Sequence, residues 1–148
     1  MSILWYFELA LTHRARSTRI SAEMCQLPWS TTPLVLAIMT EYLGTLVLCT
    51  IPRLFIINNQ TLVNNDATKT VRGVLIGLLV LVLVLLGMDK SGAMFNPTLA
   101  AVLVGGCGGY TMMQHFTVYW LAPVTAAFCG NYFCNWIEDN SLKTKKIK

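Results

Sequence analysis

Residues Asp89 to Thr111 read DKSGAMFNPTLAAVLVGGCGGYT, and the centre of this stretch is Asn96-Pro97. Asn is a favoured N-cap, because its side-chain oxygen can accept an orphan backbone N–H. Pro suits the first helical position, where no N–H is required. The pair therefore predicts a helix start at Asn96. The cluster Gly105, Gly106, Gly108 and Gly109 predicts its end. Pro97 to Val104 would then rise about 12 Å, under half of a hydrocarbon layer of about 30 Å. An extramembrane loop would leave the apolar run Leu99 to Val104 in water. The stretch 89–111 is thus expected to be re-entrant, dipping into a membrane and returning on the same side. Non-helical backbone at that depth is tolerated only where protein covers it or it lines a wet cavity. The positive end of the short helix would point towards the membrane middle, with the Asn96 amide beside it as a donor.

The flanks agree with this reading. Val71 to Met88 is a Leu- and Val-rich run in which Arg72 is the only charge. Pro33 to Ile51, extended by Leu54 to Ile57, is interrupted in its apolar part by Glu41. Met112 to Ile137 is long and largely apolar. The chain has 148 residues, 55% hydrophobic and 12% charged, with a mean hydropathy of +0.57. Soluble domains carry about 25% charged residues, and a chain this short cannot hide so much apolar surface in one core. Disorder and a nucleic-acid arm are excluded too, since the Lys and Arg edge apolar runs. The expectation is one all-α membrane protein, with spans at about 33–57, 71–88 and 112–137 plus the re-entrant half-helix. Residues 1–32 read as the end of a helix begun further upstream, or an interfacial helix, followed by a polar, basic connecting loop. Residues 138–148 read as a solvated basic tail.

Glu41 stands inside a span. A carboxylate near a bilayer centre costs about 2.5–3.5 kcal/mol on insertion scales, so it should face protein. One reading is a brace accepting hydrogen bonds from the irregular backbone of the re-entrant loop. The others are an interfacial or a simply protonated carboxyl. Thr45 lies one turn on and shares its face. Gln114 and His115 could line a mouth or merely sit at the interface, and Trp29 and Trp136 look like interfacial belt residues. Ala122, Ala126 and Gly130 are small and four apart, which suits close helix packing. The five cysteines, Cys25, Cys49, Cys107, Cys129 and Cys134, form no CxxC or zinc spacing and read as free or packed thiols. With no hydrolase constellation and no phosphate loop, the expectation is a non-enzyme with no cofactor and no metal site.

Three motifs together resemble the aquaporin family. Asn96-Pro97-Thr98, within Ser91 to Thr98, is similar to its second Asn-Pro-Ala box, with Thr in the third place. Glu41-x-x-x-Thr45 resembles the family's fourth-helix pattern, and Val118-Tyr119-Trp120-Leu121-Ala122-Pro123 resembles its last helix. The resemblance covers about residues 1–137. Cys107, nine residues after Thr98, and Leu99, directly after the box, resemble the unorthodox superaquaporin branch. The resemblance implies an aquaporin-like half channel for water or small neutral solutes. In the family, two inverted halves each supply three spans and a half-helix, and the half-helices meet at the midplane. The box Asn side chains and helix dipoles orient water and oppose cations and protons. By position, the constriction would draw on Ala93, Leu99 and Val84. All three are apolar here, where water-selective members have a His and an Arg. Slow water flow, glycerol or hydrogen peroxide therefore stay open.

The resemblance places this chain in the second half of such a channel. It is expected to be a piece of a longer channel, or a half that pairs with a complementary half or with its own copy. The alternative is a non-conducting membrane partner or assembly protein that packs on full-length channels. The implied location is an intracellular membrane such as the endoplasmic reticulum, and the implied partners are the lipid bilayer and the solute, with no nucleic acid. Arg53, Lys69, Arg72, Lys143, Lys145, Lys146 and Lys148 fall on one side of three spans, against Arg14, Arg16, Arg19 and Lys90 on the other. This split favours a cytosolic C-terminus. The sequon Asn59-Gln60-Thr61 then faces the cytosol, so glycosidase treatment of the protein from a eukaryotic membrane should leave its gel mobility unchanged. A mobility shift lost in Asn59→Gln would invert the topology.

Overall fold

The computed structural model describes residues 31–58, 66–105 and 109–147, and every regular element among them is helical. Helix α1 runs Leu34–Asn58 and α2 runs Asp66–Ser91. The short α3 is Pro97–Leu103, and α4 is Met112–Phe116. A π-helical turn, Thr117–Leu121, joins α4 to α5, Ala122–Ile147.

The boundaries have local causes. At the start of α1, the Pro33 carbonyl accepts from the N–H groups of Leu36 and Ala37 at 2.9 and 3.2 Å. Pro52 interrupts the ladder late in the same helix. Ser91 ends α2, because the chain then turns through Gly92 at φ 83°. Thr111 caps α4 in a reciprocal box: its hydroxyl accepts from Gln114 N–H and the Gln114 side chain accepts from Thr111 N–H. The π-turn precedes Pro123. A proline ring meets the carbonyl four residues back, here that of Tyr119, and cannot donate to it. The widened turn, in which Ala122 N–H reaches the Thr117 carbonyl, accommodates the loss.

Helix α1 lies between α2 and α5. On the α5 side, Ala122, Ala126 and Cys134 are buried. A Cβ built on Gly130 would come within 3.1 Å of Thr50 Cγ2 and 3.3 Å of Cys49 Cβ, so glycine allows the close approach. At the far end of the seam, the Arg53 guanidinium donates to the side-chain oxygens of Asn131 and Asn135 and pairs with Glu138 at 3.6 Å. On the α2 side, Gly87 faces Thr40 and Ala93. A small core of Ala37, Ala100, Val104, Val118 and Tyr119 fastens α3 onto α1 and the π-turn.

Leu34–Phe55 and Lys69–Ser91 are long and apolar enough to cross a membrane. Only 6% of the apolar window of α2 is buried inside the protein, so this Leu- and Val-rich helix leaves most of its side chains facing outward. This is an all-α membrane protein, in which lipid covers what a soluble core would hide. Three details differ from the sequence expectation. Helix α2 begins at Asp66, five residues before the expected span at 71–88, since neither Gly nor Pro stands between Asp66 and Val71 to stop it. Helix α5 runs on to Ile147 through the stretch read as a basic tail, because neither Gly nor Pro interrupts residues 138–147. The third long helix is interrupted by the π-turn, a break that the sequence expectation did not include. The readings of residues 1–30, of the Asn59 sequon and of Cys107 lie outside the described residues.

The Gly130 seam can be tested directly. Gly130→Leu should overpack the α1–α5 contact and cost about 1–3 kcal/mol, read as a lower midpoint of thermal unfolding in detergent. The same change at outward-facing Val124 should leave the midpoint within experimental scatter.

Candidate functional site

The six residues from Ser91 to Asn96 carry the backbone from the end of α2 to the start of α3. Gly92, Ala93 and Phe95 all adopt left-handed φ values, 83°, 50° and 49°. A non-glycine residue in this region costs roughly 1–2 kcal/mol, so Ala93 and Phe95 need external support. Glu41 supplies it. The side chain is fully buried, and its Oε1 accepts from Ser91 Oγ at 2.7 Å and from Met94 N–H at 3.0 Å. Its Oε2 accepts from Phe95 N–H at 2.6 Å. One turn on, the Thr45 hydroxyl donates to the Phe95 carbonyl at 3.4 Å. One face of α1 thus satisfies backbone groups of a loop about fifty residues away in sequence.

Ser91 is held from two sides. Its hydroxyl donates to Glu41 and accepts from Ala93 N–H at 3.2 Å. Its carbonyl, among the last of α2 and without a helical partner, accepts from the Tyr119 hydroxyl at 2.7 Å. Among the described residues Tyr119 is the largest fully buried side chain, and it sits in the π-turn.

The loop delivers Asn96 to the N-cap of α3. Its Oδ1 accepts from Thr98 N–H at 2.9 Å and from Leu99 N–H at 3.4 Å. Because the oxygen is used by the cap, the Nδ2 hydrogens are the side chain's outward chemistry. Asn96 and Thr98 are exposed, and Pro97 occupies the first turn. Leu99 is 44% exposed on α3, whereas Ala93 is 6% exposed and packs beside Gly87. Val84 lies half-buried on α2, one turn before Gly87. The structure therefore brings Glu41, Thr45, Ala93, Asn96, Pro97, Thr98 and Leu99 into one hydrogen-bonded unit, to which Val84 adds no bond. Gln114 is taken up by the Thr111 capping box, and the His115 ring lies 4.9 Å from the Tyr119 ring.

Ser91 and Tyr119 were not singled out as site residues in the sequence. Ser91 carried a weak signal, as a hydroxyl directly before a glycine that ends a helix. Tyr119 stands in the sequence only as part of the last-helix motif, which says nothing of a partner 28 residues away.

Removing the carboxylate should loosen this unit selectively. Glu41→Ala leaves three donors without their acceptor, at about 1–3 kcal/mol for each buried one. Glu41→Gln keeps one acceptor oxygen and should lose clearly less. Thermal unfolding in detergent should rank wild type above Gln and Gln above Ala.

The family model described as Major intrinsic protein matches residues 11–144. Aquaporin-11 of Equus caballus is 32% identical over 96 residues, covering 62% of this chain and 35% of the relative. Putative aquaporin-12B of Homo sapiens is 40% identical over 53 residues, covering 36% and 18%. Aquaporin SIP2-1 of Zea mays is 38% identical over 64 residues, covering 43% and 24%. The chain thus matches about a third or less of the length of these curated relatives. No solved structure matches. A match over nearly the whole chain places the protein in the major intrinsic protein family, among superaquaporin-like members.

Proposed function

We propose that this chain supplies one wall of a membrane channel for water or small neutral solutes such as glycerol or hydrogen peroxide. The observation that carries the reading is the Asn96 unit. An irregular loop, held by a buried carboxylate, presents a capped half-helix and a free amide donor on an open face. Such a donor, fixed by a rigid scaffold, can hydrogen-bond a passing neutral solute while the helix end disfavours cations. Leu99 adds an apolar contact beside the amide, where a charged side chain would bind water tightly. This supports a passage with weak water preference rather than a narrow water filter.

A complementary wall is part of the proposal. Asn96, Leu99, Val102 and Leu103 are exposed on the same short helix and loop, a surface that another channel half or a second copy of this chain would cover. The same exposed surface favours one other reading, a non-conducting partner that packs on longer channels. Intracellular membranes such as the endoplasmic reticulum are the proposed location, on the strength of the branch resemblance.

Stopped-flow swelling of proteoliposomes separates the readings. The channel reading expects flux of at least one neutral solute above that of empty liposomes. Asn96→Asp should lower that flux several-fold or admit cations, because a donor is replaced by a negative acceptor. An unchanged permeability in Asn96→Asp would remove the amide from the passage. Absence of flux, together with co-purification of a longer relative, would establish the partner reading instead.

A further inference from the structure

We propose that Tyr119 is a positioning residue for Asn96, acting as a hydroxyl clamp that fixes where the loop leaves α2 and so how far the amide projects. The clamp stands on geometry alone. Its effect on solute choice rests on the channel reading above.

The argument begins with what holds Ser91. Glu41 grips the Ser91 hydroxyl and the loop N–H groups from α1, so it fixes the loop against one helix. A rigid body held along one side can still tilt about that side. The second anchor comes from a different element, the π-turn. Tyr119 Oη donates to the Ser91 carbonyl at 2.7 Å, on the backbone where α2 gives way to left-handed Gly92 and Ala93. Glu41 and Thr45 hold the segment at Met94 and Phe95, on the α1 side. A bond at Ser91 from the π-turn adds the restraint against tilting about that side, and the tilt is what would move Asn96.

The setting of the ring explains why it can act as a clamp. Tyr119 is fully buried, its ring lies 4.9 Å from that of His115, and it meets Tyr110 edge-on at 6.2 Å. It also joins Ala37, Ala100, Val104 and Val118 in the core beneath α3. The same side chain thus touches both the base of the short helix and the end of α2. The widened turn keeps two consecutive side chains, Val118 and Tyr119, in the core at once.

Peptide-resolved hydrogen exchange on the full chain in nanodiscs tests the clamp. Tyr119→Phe keeps the ring and removes only the hydroxyl. It should speed exchange across residues 92–99 about fivefold to tenfold, as expected for loss of one hydrogen bond, with residues 124–140 unaffected. Difluorotyrosine at 119, a stronger donor of nearly the same shape, should slow exchange in 92–99 and keeps the test decisive if the Phe variant accumulates poorly. Val118→Ala, a packing control in the same turn, should affect both regions alike. Unchanged exchange at 92–99 in the Phe and difluorotyrosine forms, or a Phe effect spread equally over both regions, would overturn the clamp. In proteoliposomes, the ratio of glycerol to water flux should rise at least twofold in Tyr119→Phe as Asn96 loosens. A ratio held at the wild-type value despite faster loop exchange would overturn the selectivity role. If the loop responds but the wild-type chain passes no solute, the channel reading falls and the clamp stands.

Discussion

A single buried carboxylate organises the loop that leads from α2 into the short helix α3. Glu41 sits on a helix long and apolar enough to cross a membrane, where an unpaired charge would be costly. The loop between α2 and α3 has the opposite problem, with N–H groups that no helix or strand satisfies. Each deficit resolves the other. The carboxylate oxygens accept from Ser91 Oγ, Met94 N–H and Phe95 N–H, and the loop holds two left-handed non-glycine residues that would otherwise relax. The loop so braced ends at Asn96, which caps the short helix.

The rest of the fold serves to keep Glu41 and the loop within reach of one another. Small residues let α1 and α5 approach closely, and the Arg53 cluster ties their far ends. Packing of this kind suits a membrane, where apolar surface gains little by leaving lipid and close contact has to drive association. Helix α2 illustrates the other side of that rule. It needs no amphipathic face, and most of its Leu and Val side chains stay outward. The π-turn adds the one irregularity in the last long helix, and it occurs where Pro123 forbids a regular ladder and where Tyr119 must reach Ser91.

Several elements could be read directly from residue chemistry. The start of α3 was legible because an N-cap amide and a first-turn proline act within three or four residues. The long helices were legible because uninterrupted apolar runs have few other homes. Glu41 was legible as an anomaly by its cost alone. The ends were less so: Asp66 lies five residues before the apolar run of α2, and α5 continues through polar residues that merely fail to stop it. Tyr119 is an aromatic among aromatics in sequence, and only its distance to Ser91 distinguishes it.

The sequence by itself determined the class of molecule, the number and order of long helices, and the place where a short one begins. These follow from hydropathy and from capping chemistry, both of which act between near neighbours. Tertiary structure alone decided which donors reach Glu41, which wall of the loop Tyr119 clamps, and which residues of α3 stay open. Those outcomes join residues 28 to 54 positions apart, and such contacts depend on how whole helices pack rather than on any local pattern.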